Sequence, residues 1–338
     1  MPLNSDTPLI LAIETSCDDT AAAVLYNGKM LANIVATQKI HEQYGGVIPE
    51  LASRAHQQNI LPVVDSALKQ AGKTMKDVSA IAYTQGPGLI GSLLVGCQFA
   101  KGLSAALNIP TIGVNHLKAH IGAHYLNEVP PQFPFLCLLV SGGHTQIVKV
   151  TNHLEMEIIG STIDDAAGEA FDKAAKMIGL PYPGGPLIDQ LANKGNPMAY
   201  KFPIAKVDGY NFSFSGLKTS ILYFLQKHKA EDPQFIEKNL NDICASIRFT
   251  IVKTLMQTLE RAAMDLNIKE IGIAGGVSAN TLLRDELMTT GIKNKWSTYI
   301  PPFEYCTDNA GMIGILAHYQ YLIADFASLN DMPYPRGL

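Results

Sequence analysis

The chain has 338 residues, 47% hydrophobic and 17% charged, with a formal net charge of −4. That length suits two domains or one large one with an ample core, and the low charged fraction excludes a mainly disordered chain. The net acidity argues against a protein that grips nucleic acid by bulk charge, so such a partner has to be held by a local patch or a helper protein.

Residues 9–16 (LILAIETS) read as an apolar strand running into the polar ETSCDDT, and residues 21–26 as a second strand. Asn27-Gly28 is a hairpin turn signal, and 29–37 is the third strand. Residues 49–70 carry apolar positions at helical spacing, with Pro49 at the start and Pro62 predicting a kink or a break. Residues 80–84 form a fourth strand ending in Gly86-Pro87-Gly88. A small-residue helix follows over 91–107, then a fifth strand over 111–114 and a helix over 116–126. The pattern then restarts. Strands are predicted at 135–141, ending in Gly142-Gly143, at 145–150 and at 155–161, with a helix over 166–178. After an irregular stretch holding PYPGGP and NFSFSG come a helix over 239–266, a strand over 270–274 ending in Gly275-Gly276, a helix over 280–288, a strand over 298–301 and a last helix over 308–324. The same element order appears twice. It predicts two α/β lobes, 1–134 and 135–338, facing across a cleft into which the glycine-ended strands point their loops.

Five cysteines, an odd count with no CxxC, read as small buried residues and not as a disulfide framework or zinc ribbon. The first 14 residues hold no Lys or Arg, and their apolar run is too short for a signal peptide. Residues 78–100 are uncharged, but four glycines, Pro87, Gln85 and Gln98 fit a buried strand, loop and helix better than a membrane span. The expected location is the cytoplasm.

Three features carry chemistry. First, the glycine turns at 86–88, 141–143 and 274–276 each end an apolar strand, where backbone N–H groups approach a phosphate closely. There is no GxxxxGK[ST], and no GxGxxG follows the first strand, against a P-loop or a dinucleotide-binding Rossmann unit. Second, His116 and His120 at i, i+4 share a helical face and are close enough to share a metal. Asp308 in CTDNAGM is an attractive third ligand, its ordinary alternative being a helix cap. Two histidines and a carboxylate suit iron or zinc. The segment reads HLKAH, without the Glu of HExxH, which weakens a metalloprotease reading. Third, Asn280, after the Gly275-Gly276 turn, could reach a base or ribose, and Asp189 in PYPGGPLID could do the same for hydroxyls; Asp165, Glu169 and Asp172 share a face whose ordinary reading is solvation. Arg54, Lys118, Lys173, Lys176 and Lys218 are scattered rather than clustered.

Eight motifs in order, AIETSCDDT, TQGPGLIGSLLVG, NHLKAH, LVSGGHT, GEAFDKAAKMIGLPYPGGP, FSFSGLKT, GIAGGVSAN and TDNAGMI, resemble the bacterial tRNA N6-adenosine threonylcarbamoyltransferase family, formerly described as O-sialoglycoprotein endopeptidases. The resemblance runs from about residue 9 to residue 319. It implies the actin-like ATPase, sugar-kinase and Hsp70 fold with two ribonuclease-H-like lobes. It also implies transfer of threonylcarbamoyl from threonylcarbamoyl-adenylate to N6 of adenosine 37, just 3′ of the anticodon, in tRNAs reading codons that begin with A. By motif match, His116, His120 and Asp308 would hold one Fe2+ per subunit, with Zn2+ the alternative. Leu139, Val140, Ser141, Gly142, Gly143, Asp172, Gly185, Asp189 and Asn280 would line the donor site. Some relatives add a Tyr ligand near the SGG turn; here Leu139 and Val140 precede it. Lys118 stands midway between the histidines, where bacterial members often have Glu, and His124 is an extra histidine outside the ligand set. The family precedent implies a complex with TsaB and TsaE. The rivals are a metal-dependent peptidase, a small-molecule kinase of the same fold, disfavoured because ETSCDDT lacks the glycine of a DxGxT loop, and a non-catalytic scaffold, against which the His pair speaks.

Overall fold

A computed structural model describes residues 7–336. They divide into two compact units: the first runs up to Pro130 and adds Asn152–Glu155 and the chain from Pro301 on, and the second holds Pro131–Thr151 and Met156–Ile300.

The first unit is built on strands β1 (Leu9–Glu14), β2 (Asp19–Tyr26), β3 (Lys29–Thr37), β4 (Ala80–Gly86) and β5 (Thr111–Asn115), with helices α1 (Pro49–Gln70), α2 (Ile90–Leu107) and α3 (His116–Gly122). The sheet order is β3-β2-β1-β4-β5. β1 to β3 pair antiparallel, joined by a turn in which Asn27 and Gly28 both take positive φ. β4 and β5 add parallel strands, as the intervening helices require. Every residue of β1 is buried. It reads as a continuous apolar run because both faces of the sheet are covered. Leu11 and Ile13 pack with Ile60, Val64, Leu68, Cys97 and Ala100 of α1 and α2. Pro62 does not end α1, which runs on to Gln70. α2 is apolar and long enough to pass for a membrane span by composition, but Leu93, Cys97 and Ala100 are fully buried on the sheet.

The second unit repeats the plan. β6 (Phe135–Val140), β7 (Thr145–Val150), β8 (Met156–Ser161), β9 (Glu270–Ala274) and β10 (Ser297–Tyr299) form a sheet ordered β10-β9-β6-β7-β8. β6 takes the place of β1, antiparallel to β7 and parallel to β9. The helices are α4 (Ala167–Met177), α5 (Gly184–Ala192), α6 (Ser215–Glu231), α7 (Phe235–Leu266) and α8 (Thr281–Asn294). Their core holds Phe171, Phe212, Phe214, Ile243 and Leu255 against the strands. α5 and α6 arise in the stretch that reads as irregular in sequence. α7 begins four residues before the predicted start, and Asn239 breaks its helical geometry there.

One expectation is corrected. The sequence order places everything from 135 onward in one lobe, yet the last helix, α9 (Ala310–Leu322), returns to the first unit. The reason is local. A Cβ on Gly314 would crowd Ala12 and Leu25, so only glycine lets α9 lie this close to the first sheet. The Gly311 N–H donates to Asn33 Oδ1 of β3 at 3.2 Å.

Candidate metal centre and glycine turns

β5 ends at Asn115 and α3 begins at once. Asn115 Oδ1 accepts the Lys118 N–H at 3.0 Å, the N-cap that a seven-residue helix needs. Helical spacing then stacks His116 and His120, whose rings lie edge to face with centroids 4.7 Å apart. Asp308 reaches them from the segment before α9. Asn309, not Asp308, caps that helix, its Oδ1 accepting the Met312 N–H. The neighbouring amide thereby leaves the Asp308 carboxylate free of capping duty. Asp308 Oδ1 stands 3.2 Å from His120 Nε2 and 3.5 Å from His116 Nε2. One donor atom from each of the three residues lies within 4.8 Å of the others. His124 lies outside this group, and Lys118 is exposed on the other side of the turn.

The sequence reading missed Glu14. It ends β1 fully buried, its Oε2 accepting from His116 Nδ1 at 3.1 Å and from Thr84 Oγ1 at 2.6 Å. Its other oxygen accepts the Ser16 N–H. A carboxylate on Nδ1 fixes the imidazole tautomer and leaves Nε2 as the ligand atom. A lone Glu after an apolar run gives no sequence signal for this role. Only the parallel pairing of β4 and β5 beside β1 brings it under His116.

The donor set fits a metal ion. His120 is 1% exposed, and its ring nitrogens find no well-directed hydrogen bond, Nε2 facing only the Asp308 carboxylate at 3.2 Å. Buried polar atoms are normally paired, so lone pairs converging without donor geometry call for a cation. Without one, protons answer the same demand. Burial works against a charged His116, but Asp308 and Glu14 outweigh it and push it up to about 9. Burial likewise works to raise the Asp308 carboxyl, and the facing histidines overcome it and hold it well below the usual carboxylate range.

The second unit gathers the remaining predicted residues by direct contacts. Leu139 and Val140 are fully buried, so their side chains belong to the core and only their backbone can face a ligand. Ser141 closes the β6–β7 turn, its N–H donating to His144 O at 2.8 Å. A Cβ on Gly142 or Gly143 would meet nothing within 4 Å, which leaves this turn open to approach. Gly168 underlies it: a Cβ there would stand 2.5 Å from Ser141 O. Gly275, at φ +86°, abuts Val140 O in the same way. Asp172 Oδ1 accepts the N–H groups of Gly184 and Gly185 at 2.9 and 3.2 Å, capping α5. Burial raises its carboxyl, with those two bonds opposing. Asp189 accepts from Arg248 Nη1 at 2.8 Å and from Thr281 N–H at 3.1 Å. Asn280 Oδ1 caps α8 through the Leu283 N–H at 3.1 Å. Arg248, buried in the middle of α7, is a second residue that the sequence reading missed. The GPG turn differs from the later two. Its Gly88 and Leu89 N–H groups donate to Pro335 O and Ser16 O, so they serve the fold. The scattered cations are ordinary where partners are seen: Arg54 pairs with Glu50, and Lys173 with Asp165 and Glu169.

A sequence model described as TsaD, tRNA N6-adenosine threonylcarbamoyltransferase, matches residues 29–315. A protein of that name from Christiangramia forsetii is 62% identical over 324 residues, covering 95% of each chain. Another from Cytophaga hutchinsonii is 57% identical over 97% of this chain and 95% of its own. Among solved structures, HypF of T. kodakarensis superposes with a TM-score of 0.62 at 13% identity, over 96% of this chain and 48% of that one. At that identity the likeness speaks for the fold alone, which is the actin-like ATPase fold.

Proposed function

Because this chain belongs to the TsaD family of tRNA N6-adenosine threonylcarbamoyltransferases, we propose the following division of labour among its residues. The chain is an acyltransferase of tRNA threonylcarbamoyladenosine biosynthesis: it joins a threonylcarbamoyl group to N6 of adenosine 37. The donor is threonylcarbamoyl-adenylate, a mixed anhydride of a carbamate and AMP. A C–N bond forms to the adenine amine, the C–O bond to AMP breaks, and one N6 proton is released. The donor is already activated, so the protein's main work is to position the amine and to stabilise developing negative charge.

His116 Nε2, His120 Nε2 and Asp308 would hold one iron or zinc ion, and that ion supplies a Lewis acid for the threonylcarbamoyl carbonyl. Glu14 keeps His116 in the tautomer that presents Nε2. On the second unit the open turn at Ser141-Gly142-Gly143 presents the backbone N–H groups of its two glycines to the phosphate or the forming oxyanion. Leu139 and Val140 contribute backbone only. Asp172 with Gly185, and Asp189 with Asn280, shape the rest of the donor site through the bonds that already order α5 and α8. With net charge −4, the chain needs partner proteins to hold its tRNA, and TsaB and TsaE are the partners we propose, in the cytoplasm.

The observation that carries this reading is the convergence of two imidazole nitrogens and a carboxylate inside the family-matched segment. The test is transfer from synthetic threonylcarbamoyl-adenylate to tRNA, with and without TsaB and TsaE. His116→Ala is expected to lose bound metal and transfer together. Full transfer by a metal-free His116→Ala protein would sink the metal role.

A further inference from the structure

We infer that the C-terminal tail positions the metal-ligand helix, and that the Tyr334 hydroxyl is the group through which it does so. This rests on the metal reading above and adds a residue to it. The tail, residues 327–336, crosses the first unit as a strap. It leaves α9 with Ala327 N–H donating to Thr111 O at 2.8 Å, beside the start of β5. Lys101 of α2 then anchors it. That lysine is 7% exposed, and its ammonium donates to Leu329 O at 2.9 Å and to Asp331 O. A buried ammonium is costly unless its hydrogen bonds are met, so the seat is built for the strap. Next, Tyr334 N–H donates to Gln85 O at 3.0 Å, and the ring lies over Gly86, where a Cβ would come within 2.7 Å of it. Glycine at the end of β4 makes room for this tyrosine.

The last link reaches the histidines. Asn115 Nδ2 donates to Tyr334 Oη at 3.0 Å while Asn115 Oδ1 accepts the Lys118 N–H. One amide therefore does two jobs: its NH2 is held by the tail and its carbonyl caps α3. Without the phenol oxygen the amide is free to turn, and the cap goes with it. Helices of fewer than about 12 residues are marginal by themselves, and α3 has seven. Its first residue is His116 and its fifth is His120, so orientation lost at the cap is lost at both ligands. Tyr334 touches neither substrate nor ligand atoms and acts only through Asn115.

The test uses the full chain as wild type, Tyr334→Phe, Asn115→Ala, the double variant and His116→Ala. Two quantities are read: amide exchange over residues 116–122, and the dissociation constant for Co2+ as the metal probe. Tyr334→Phe keeps the ring over Gly86, so the strap stays seated and the melting temperature should fall by no more than the loss of one helix cap brings. Its α3 amides should exchange faster, and Co2+ should bind about tenfold more weakly, the low end of the range for outer-shell partners of metal ligands. Asn115→Ala should do more, and the double variant no more than Asn115→Ala alone. Unchanged α3 exchange in Tyr334→Phe, or a double variant showing the product of the two single effects, overturns the inference. If wild type and His116→Ala bind Co2+ alike, it is the metal reading that fails, and α3 exchange still decides the role of the tail.

Discussion

The two units share a strand order but satisfy their polar groups in opposite ways. In the first, His116, His120 and Asp308 converge, and the buried ring nitrogens of His120 find no well-directed hydrogen bond. In the second, Asp172, Asp189 and Asn280 each accept from backbone or side-chain donors of their own unit. A buried group left unpaired costs about 1–3 kcal/mol, a cost that an ion at the first arrangement would relieve. The second is a finished scaffold, and what it offers a ligand is the open Gly142-Gly143 backbone. A side chain's chemistry alone does not identify its role, since the same carboxylate type faces two imidazoles in one place and caps a helix in the other.

The largest expected effect falls on the ligands. Asp308→Ala or His120→Ala should weaken metal binding by more than about 100-fold, beyond what loss of an outer-shell partner does, and elemental analysis of purified protein would show it. Retained metal would erase the contrast between the units. Next comes Glu14→Gln, which keeps the shape but removes the charge behind His116. It should weaken metal binding about tenfold, read by competition with a chelator of known affinity. Gly168→Ala is the converse probe. Its methyl would press on the SGG turn, and a 1 Å displacement of a binding group costs about 100-fold. Steady-state kinetics should show KM for the donor raised about tenfold with metal content unchanged. Asn280→Ala sits at the small end: loss of a cap costs about 1 kcal/mol, visible as a shifted urea midpoint.

The first unit also carries a pH signature. His116 is raised to about 9 by Asp308 and Glu14 against the burial that opposes it. In metal-stripped protein its stabilising contribution is therefore complete below about 6.5, the unfolded value, and is lost as pH rises through about 9. Urea unfolding of stripped protein between pH 6 and 9.5 should show that decline. His116→Ala should remove it, and a decline of equal size in the variant would assign it elsewhere.

Much of the fold was legible because it is written locally. Continuous apolar runs mark strands covered on both faces, and Asn27-Gly28, Gly142-Gly143 and Gly275-Gly276 punctuate them. The His116–His120 pair was legible for the same reason, since helical spacing is a local property. What escaped the sequence is set by distant partners. Glu14 becomes a tautomer-fixing group only when β4 and β5 bring His116 beside the end of β1. Asp308 is left to face the histidines because Asn309 takes the cap. The return of α9 to the first unit depends on Gly311 and Gly314 meeting β2 and β3, which element order does not encode. Helices α5 and α6 hid in a stretch rich in Pro, Gly and Ser, where Asp172 and Asp164 supply caps from elsewhere in the chain.

The central claim is that His116, His120 and Asp308 hold an ion that the transfer reaction needs. The most direct measurement is single-turnover transfer from synthetic threonylcarbamoyl-adenylate to tRNA, with the proposed partners present and metal per chain counted in the same samples. Wild type would be assayed as purified, after chelator stripping and after reloading, beside Asp308→Ala. The account expects one ion per chain, transfer lost on stripping and regained on reloading in wild type, and neither ion nor recovery in the variant. Undiminished transfer by stripped wild-type protein would contradict it.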